Sequence, residues 1–288
     1  MTDQRTLAFI NFHGILGSLT ELCRQVPEAK ALLGDKKVTI AIAVKNGPEG
    51  RLAFENGTCT VLPGTSPCDI KLPFSTPEKF NGMIDGTVTP IPSKGFTKIG
   101  FLTGPFIKLT DLLSKYLRAT EEDLRDPEFF RVATLMKFYV VSEAIAQIAN
   151  HDKVGQASAS YIVDGTAKMA ISDVVGAGIT AKDHVLTTTH EMPESFFSYM
   201  VFEDLTLASD LFDGKVNAVA AVGHGKVTIG GRSDDEVKFI LDLDLYMSAQ
   251  VPVNLSAGAL QTLHSQAYGI FRGAITRRLH DAMEPEEV

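Results

Sequence analysis

Apolar residues recur along this chain at two spacings, and each switch between them marks an element. Residues 15–33 repeat at helical spacing, with Leu19, Leu22 and Cys23 on one face and Pro27 breaking or restarting the helix. Residues 38–44 (VTIAIAV), 51–55 (RLAFE), 58–62 (TCTVL) and 68–74 (CDIKLPF) read as strands. Asn56-Gly57 is a hairpin signal, because both residues tolerate the positive φ that a tight two-residue turn needs. Thr76 caps a helix with Pro77 in its first turn, running to about Asp85-Gly86. A strand over 97–101 and a helix over 105–117 follow. That helix carries Phe106, Leu109, Leu112, Leu113, Tyr116 and Leu117 as one stripe.

The second half repeats this order. A long helix over 127–149 is apolar on most of its circumference and is expected to be buried on several sides. Strands are predicted over 157–163, 166–172, 177–182 and 184–190, with Asp164-Gly165 as a second hairpin turn. A helical region over 193–213 and a strand over 226–230 come next. Residues 235–247 fit either a helix or a strand, and the repeat favours helix. A final helix over 256–283 is amphipathic, with Leu260, Leu263, Ile270, Phe271, Ile275 and Leu279 on its apolar side. It is expected to dock on the middle helix or across a homodimer.

Strands, a helix, one more strand and a closing helix make an α+β order rather than a βαβ alternation. Residues 93–117 match 223–247 without a gap, pairing Gly100 with Gly230, Lys108 with Lys238 and Tyr116 with Tyr246. Thr76-Pro77-Glu78 matches Met192-Pro193-Glu194 at another offset, and each copy reaches Asp-Gly, at Asp85-Gly86 and Asp213-Gly214. A period this long means two copies of one domain rather than a solenoid. The expected division is residues 1–120, 121–250 and 251–288.

Composition narrows the function. With 44% apolar and 22% charged residues over 288 positions, the chain can build two cores. A net charge of -8 argues against nucleic acid and against attachment to anionic membranes. No apolar run reaches the roughly 20 residues of a membrane span. No basic leader precedes an apolar stretch, so a cytoplasmic protein is expected. Cys23, Cys59 and Cys68 then read as free thiols.

Candidate chemistry is sparse. His184 and His190 share a strand face but lie roughly 20 Å apart at strand rise, too far for one ion, so no metal is expected. Ser158, Ser160 and Thr187–Thr189 are strand hydroxyls with no partner visible in sequence. No Gly-rich phosphate loop and no nucleophile elbow occurs, so neither a cofactor nor catalysis is expected.

The stretch from Lys215 to Met247 resembles the end of a sterol carrier protein 2 (SCP2) domain. The residues carrying that likeness are Asp213-Gly214-Lys215-Val216-Asn217, Gly225-Lys226-Val227-Thr228-Ile229-Gly230-Gly231 and the segment after Ser233. The first half keeps Cys68-Asp69-Ile70-Lys71-Leu72, Asp85-Gly86 and Lys98-Ile99-Gly100. The resemblance implies two tandem units over 36–117 and 157–247. Each would be a roughly five-stranded, largely antiparallel sheet covered by helices, with an apolar tunnel between. It also implies non-catalytic binding of a fatty acyl, sterol or other apolar molecule. The candidate lining residues are Phe80, Met83, Ile84, Phe101, Leu109, Leu112 and Leu113 in one unit. In the other they are Phe196, Phe197, Met200, Phe202, Phe239, Ile240 and Leu243. The alternatives are an assembly module whose cavity is filled, or an enzyme without a legible motif.

Overall fold

A computed structural model describes residues 3–231. The candidate lining residues Phe239, Ile240 and Leu243, and the segments 235–247 and 256–283, lie outside the described residues. Contacts divide the chain between Met136 and Lys137, whereas the sequence placed the first boundary at 120. The fold is α+β, with a four-stranded and a five-stranded mixed sheet.

The first unit opens with helix α1 (Gln4–Ile10), which continues through a π-helical turn, Asn11–Leu16, towards α2 (Leu19–Gln25). Asp3 caps α1 through the Arg5 N–H. Pro27 ends α2 and starts α3 (Pro27–Leu33), as its missing N–H requires. Strands β1 (Val38–Val44), β2 (Glu49–Glu55), β3 (Thr58–Pro63) and β4 (Ile70–Phe74) follow. Asn56 and Gly57 join β2 to β3 at φ 50° and 76°, the turn their sequence predicts. After β4 come α4 (Pro77–Ile84), α5 (Ile99–Phe101) and, past a second π-helical turn at Leu102–Phe106, α6 (Ile107–Leu117). Pro105 sits in that turn, where the wider winding accommodates a residue with no N–H.

Its sheet order is β3-β2-β1-β4, with only the β1–β4 pair parallel. One face carries Ile40, Ile42, Leu52, Phe54, Ile70 and Leu72, all buried. Phe54 packs against Phe101 and Phe106 at 5.4 and 6.0 Å, and Phe74 against Phe80 at 5.3 Å. A Cβ on Gly50 would lie 2.5 Å from the Phe12 ring, so only glycine lets α1's continuation approach this closely.

Helix α7 (Pro127–His151) crosses the division. By length and apolar composition it would span a bilayer, but 94% of its apolar window is buried within the protein. The second unit then has α8 (Lys153–Ala159), β5 (Gly165–Ile171), β6 (Val175–Lys182), β7 (Val185–Thr189) and β8 (Ser198–Phe202). It ends with α9 (Leu205–Phe212), α10 (Ala218–Gly223) and β9 (Val227–Gly231). The order β7-β6-β5-β8-β9 repeats that of the first sheet and adds one strand at the β8 edge.

Four expectations need correction. Residues 97–101 are helical, so the first sheet has four strands. The cause lies in β4: Lys71 turns its N–H and C=O to the sheet edge, bonding Lys94 and Ser93 at 3.2 and 2.8 Å. Two residues on, Pro73 faces the same edge without a donor, and pairing stops at a single bridge. Residues 153–159 form α8, where a strand over 157–163 was expected, so Asp164-Gly165 is no hairpin turn. The region 193–213 is not one helix, because Ser198–Phe202 is strand β8 and the helix begins at Leu205.

The repeat register also changes. Thr76 caps α4 through the Lys79 N–H, and Asp204 caps α9 through the Leu207 N–H. Each helix ends in Asp-Gly, with Gly86 at φ 73° and Gly214 at 76°. Thr76 therefore matches Asp204, not Met192. Lys71 and Tyr199 hold the same place in the two sheets, and their edge partners are Lys94 and Gly230. Gly230 therefore matches Lys94 and not Gly100.

Candidate functional site

Helix α7 carries Tyr139, Glu143, Gln147 and Asn150 at spacings of four, four and three, one polar line in an apolar helix. That line meets β7. Asn150 clasps Leu186 at both backbone groups, donating from Nδ2 to the Leu186 carbonyl at 2.7 Å and accepting its N–H at 2.8 Å. Its side-chain amide thereby stands in for a neighbouring strand at the sheet edge. The Tyr139 hydroxyl donates to the His190 carbonyl at 3.1 Å, and the two rings stack at 4.2 Å.

Between these anchors lies Glu143. It accepts from the Thr188 hydroxyl and from Gln147 Nε2, and its Oε1 is 3.8 Å from His190 Nε2. Burial pushes the Glu143 carboxyl above its ordinary value, while the bonds from Thr188 and Gln147 oppose that rise. Side-chain exposures are 17% for Glu143 and 23% for His190, whose Nε2 atom is itself buried.

One strand step away is an apolar hollow lined by Ile162, Ala167, Ile179, Ala181, Leu186 and Phe197. Ile179 pairs with Thr188, and Leu186 is the residue that Asn150 holds, so hollow and polar cluster share a sheet face. The hollow is shallow: its enclosed volume is about 10 Å³, roughly the room for one water molecule.

The predicted lining residues spread over two sheets. Phe80 and Phe101 are buried against Phe74 and Phe54, with Leu109 and Leu113 also buried and Met83, Ile84 and Leu112 half-buried. In the second unit Met200 and Phe202 are buried under the sheet, Phe202 against Phe138 and Phe212. Phe197 lines the hollow. Phe196 is 40% exposed and packs with Lys168 and Tyr199 on the opposite sheet face.

Comparisons with known proteins place the chain in no family. No family model matches it, and no curated protein matches it. A solved structure titled "UbiJ-SCP2 Ubiquinone synthesis protein" is similar at TM-score 0.29 and 9% identity, covering 37% of this chain and 87% of that one. The stereoselective inverting sec-alkylsulfatase Pisa1 from Pseudomonas sp. is similar at TM-score 0.21 and 15% identity, covering 45% of this chain and 29% of its own. At these scores neither likeness bears on fold or function.

His184 is not a strand residue. With Asp183 it makes the β6–β7 turn, at φ 63° and 50°. Among the described residues no group of three metal-binding side chains comes together. The cysteines are free. Burial pushes the Cys23 thiol up to about 11, and the more deeply buried Cys59 thiol is raised further. Such thiols are poor nucleophiles. Sequence reasoning noted Thr188 but not its partner Glu143, which lies 45 positions earlier. The signal was the polar line on α7.

Proposed function

We propose that the second unit binds an amphipathic, lipid-like molecule without catalysis. The apolar part would sit in the hollow between Ala167, Ala181 and Phe197. The polar end would reach Glu143, Thr188 and His190. The observation that carries this reading is the adjacency of an open apolar hollow and a half-buried polar cluster on one sheet face. The Asp-Gly-Lys-Val and Gly-Lys-Val-Thr-Ile-Gly motifs that resemble SCP2 domains agree with it, as does the strand order shared by the two sheets. At about 10 Å³ the hollow is far below the roughly 300–1,000 Å³ of sites for drug-sized molecules, so binding would require its walls to part around a slender amphiphile. Affinity would come mainly from burying methylenes, at about 0.8 kcal/mol each. Native mass spectrometry of the purified chain, followed by organic extraction, should recover such a molecule. Recovery of none, with no uptake of a fluorescent fatty acid, would overturn the proposal.

A second reading applies to the first unit. Its matching sheet face is filled by Phe12, Phe54 and Phe80, each 1% exposed or less. That filling favours a structural role for this copy of the fold.

A further inference from the structure

Large apolar side chains on a folded surface are normally scattered singly. The first unit instead exposes four along one short stretch: Ile91 at 77%, Phe96 at 63%, Ile99 at 44% and Ile107 at 48%. Phe96, Ile99 and Ile107 lie on one continuous run of helical turns, Phe96–Leu117, at spacings of three and eight. That run presents its other side, Phe101, Leu102, Phe106 and Leu109, to the core. Its outward side is therefore an amphipathic surface of its own.

The charge of this stretch is opposite to that of the chain. The protein carries -8 in total, yet no carboxylate occurs between Asp85 and Asp111, while Lys94, Lys98 and Lys108 do. From β4's approach, Asp69 neutralises Lys98 at 2.7 Å, and Lys71 adds a further cation. Lys94 donates to the Cys68 carbonyl at 2.6 Å and also lies within electrostatic reach of Asp69, while Lys108 is exposed. The net charge of a whole chain says little about such a patch, because screening limits each charge to a reach of about 10 Å.

We propose that the stretch from Ile91 to Ile107 docks the protein onto an anionic lipid surface. Aromatic and aliphatic tips protruding between lysines are the pattern of a helix lying in the headgroup layer. The tips enter the acyl boundary and the lysines meet lipid phosphates and carboxylates. A second copy of this chain is a poorer occupant, since a two-fold contact would bring two patches of like positive charge together. The chain's own residues 256–280 fit no better, carrying Arg272, Arg277 and Arg278 and no carboxylate. This docking is independent of the hollow in the second unit and would hold for a protein that carries nothing.

The chain contains no tryptophan, so Phe96→Trp gives a single reporter. Val174→Trp, at a site 66% exposed on the β5–β6 turn of the second unit, is the control. With phosphatidylcholine–phosphatidylserine vesicles, the emission of the Phe96→Trp protein should shift to the blue and that of the control should not. Pure phosphatidylcholine vesicles should give no shift, and added salt should reverse it. Co-sedimentation of the unmodified chain should fall at least about tenfold in Lys94→Glu/Lys108→Glu, and similarly in Phe96→Ser/Ile99→Ser. No shift at position 96, or equal shifts at 96 and 174, would overturn the proposal. So would an undiminished shift on neutral vesicles. A concentration-dependent rise in solution mass that the Phe96/Ile99 pair abolishes would assign the surface to a second copy instead.

Discussion

The two sheets follow one plan and fill it differently. Strand pairing sets their positions side by side. Val38 opposes Phe54 in the first sheet, and Gly165 opposes Ala181 in the second. Phe54 and Ala181 therefore occupy the same place. Ile40 and Ala167 correspond likewise, as do Val61 and Thr188. In the first unit the phenylalanine at that place meets Phe101 and Phe106 and closes the interior. In the second unit two alanines leave the hollow, and a threonine where the first has valine recruits Glu143. A few side-chain volumes on a shared scaffold thus separate a phenylalanine-filled interior from one with a shallow hollow.

The comparison can be broken at several points. The largest effect is expected from Phe54→Ala, which should open in the first sheet what the second already has. It should cost about 3–5 kcal/mol, the usual range for removing a buried phenylalanine. Urea unfolding monitored by circular dichroism measures it, and a loss below about 1 kcal/mol would mean that Phe54 does not close the first interior. The reciprocal change, Ala181→Phe, should weaken binding of a fluorescent fatty acid by at least about tenfold. It should also destabilise the protein by roughly 1–3 kcal/mol, the range of an overpacked core, because Ala181 is buried and the hollow holds only about 10 Å³. Undiminished binding would separate the hollow from the ligand.

Smaller effects test the shared plan. Thr76→Ala and Asp204→Ala should each cost about 1 kcal/mol, the value of an N-cap. Very unequal losses in thermal melts would argue that α4 and α9 are not equivalent. The smallest effect concerns pH. Burial raises the Glu143 carboxyl above its ordinary 4.5, so the folded state holds this proton more tightly than the unfolded one. Its contribution is fully present below 4.5 and is lost as pH rises through the folded value. Glu143→Gln cannot lose a proton, so its stability relative to the parent should rise with pH above 4.5. His190 is the facing charge when protonated, and His190→Gln in the same series separates its share. A difference between Glu143→Gln and parent that is flat with pH would contradict the raised carboxyl.

Where a signal is local, the sequence was a good guide. Pro27, Thr76 and Asn56-Gly57 act within three or four residues, and each element boundary they predict is present. Asp164-Gly165 is the local signal that failed, because helix α8 stands where its first strand was expected, and the other failures depend on a distant partner. Residues 97–101 look like a strand, but a strand needs an edge to join, and Pro73 had removed it some 25 positions earlier. Residues 196–202 combine aromatic and apolar positions that fit a helix, while β5 draws 198–202 into the sheet. The Asp204 cap was visible and would have started the helix correctly. The polar line on α7 was legible too, but its meaning depended on Thr188 and His190, whose approach only the fold reveals.

The proline in β4 has another consequence. A sheet edge with free donors invites a strand from another molecule, and such pairing can propagate into fibrils. On the first sheet the β4 edge offers Lys71, already bonded to residues 93 and 94, and then Pro73, which has nothing to donate. An incoming strand would meet a cation and a gap in the ladder. The same imino acid that holds the first sheet to four strands therefore guards this edge against self-association during synthesis and refolding. A Pro73→Val chain, with its ladder restored, is the one we would expect to form thioflavin-positive aggregates sooner than the parent.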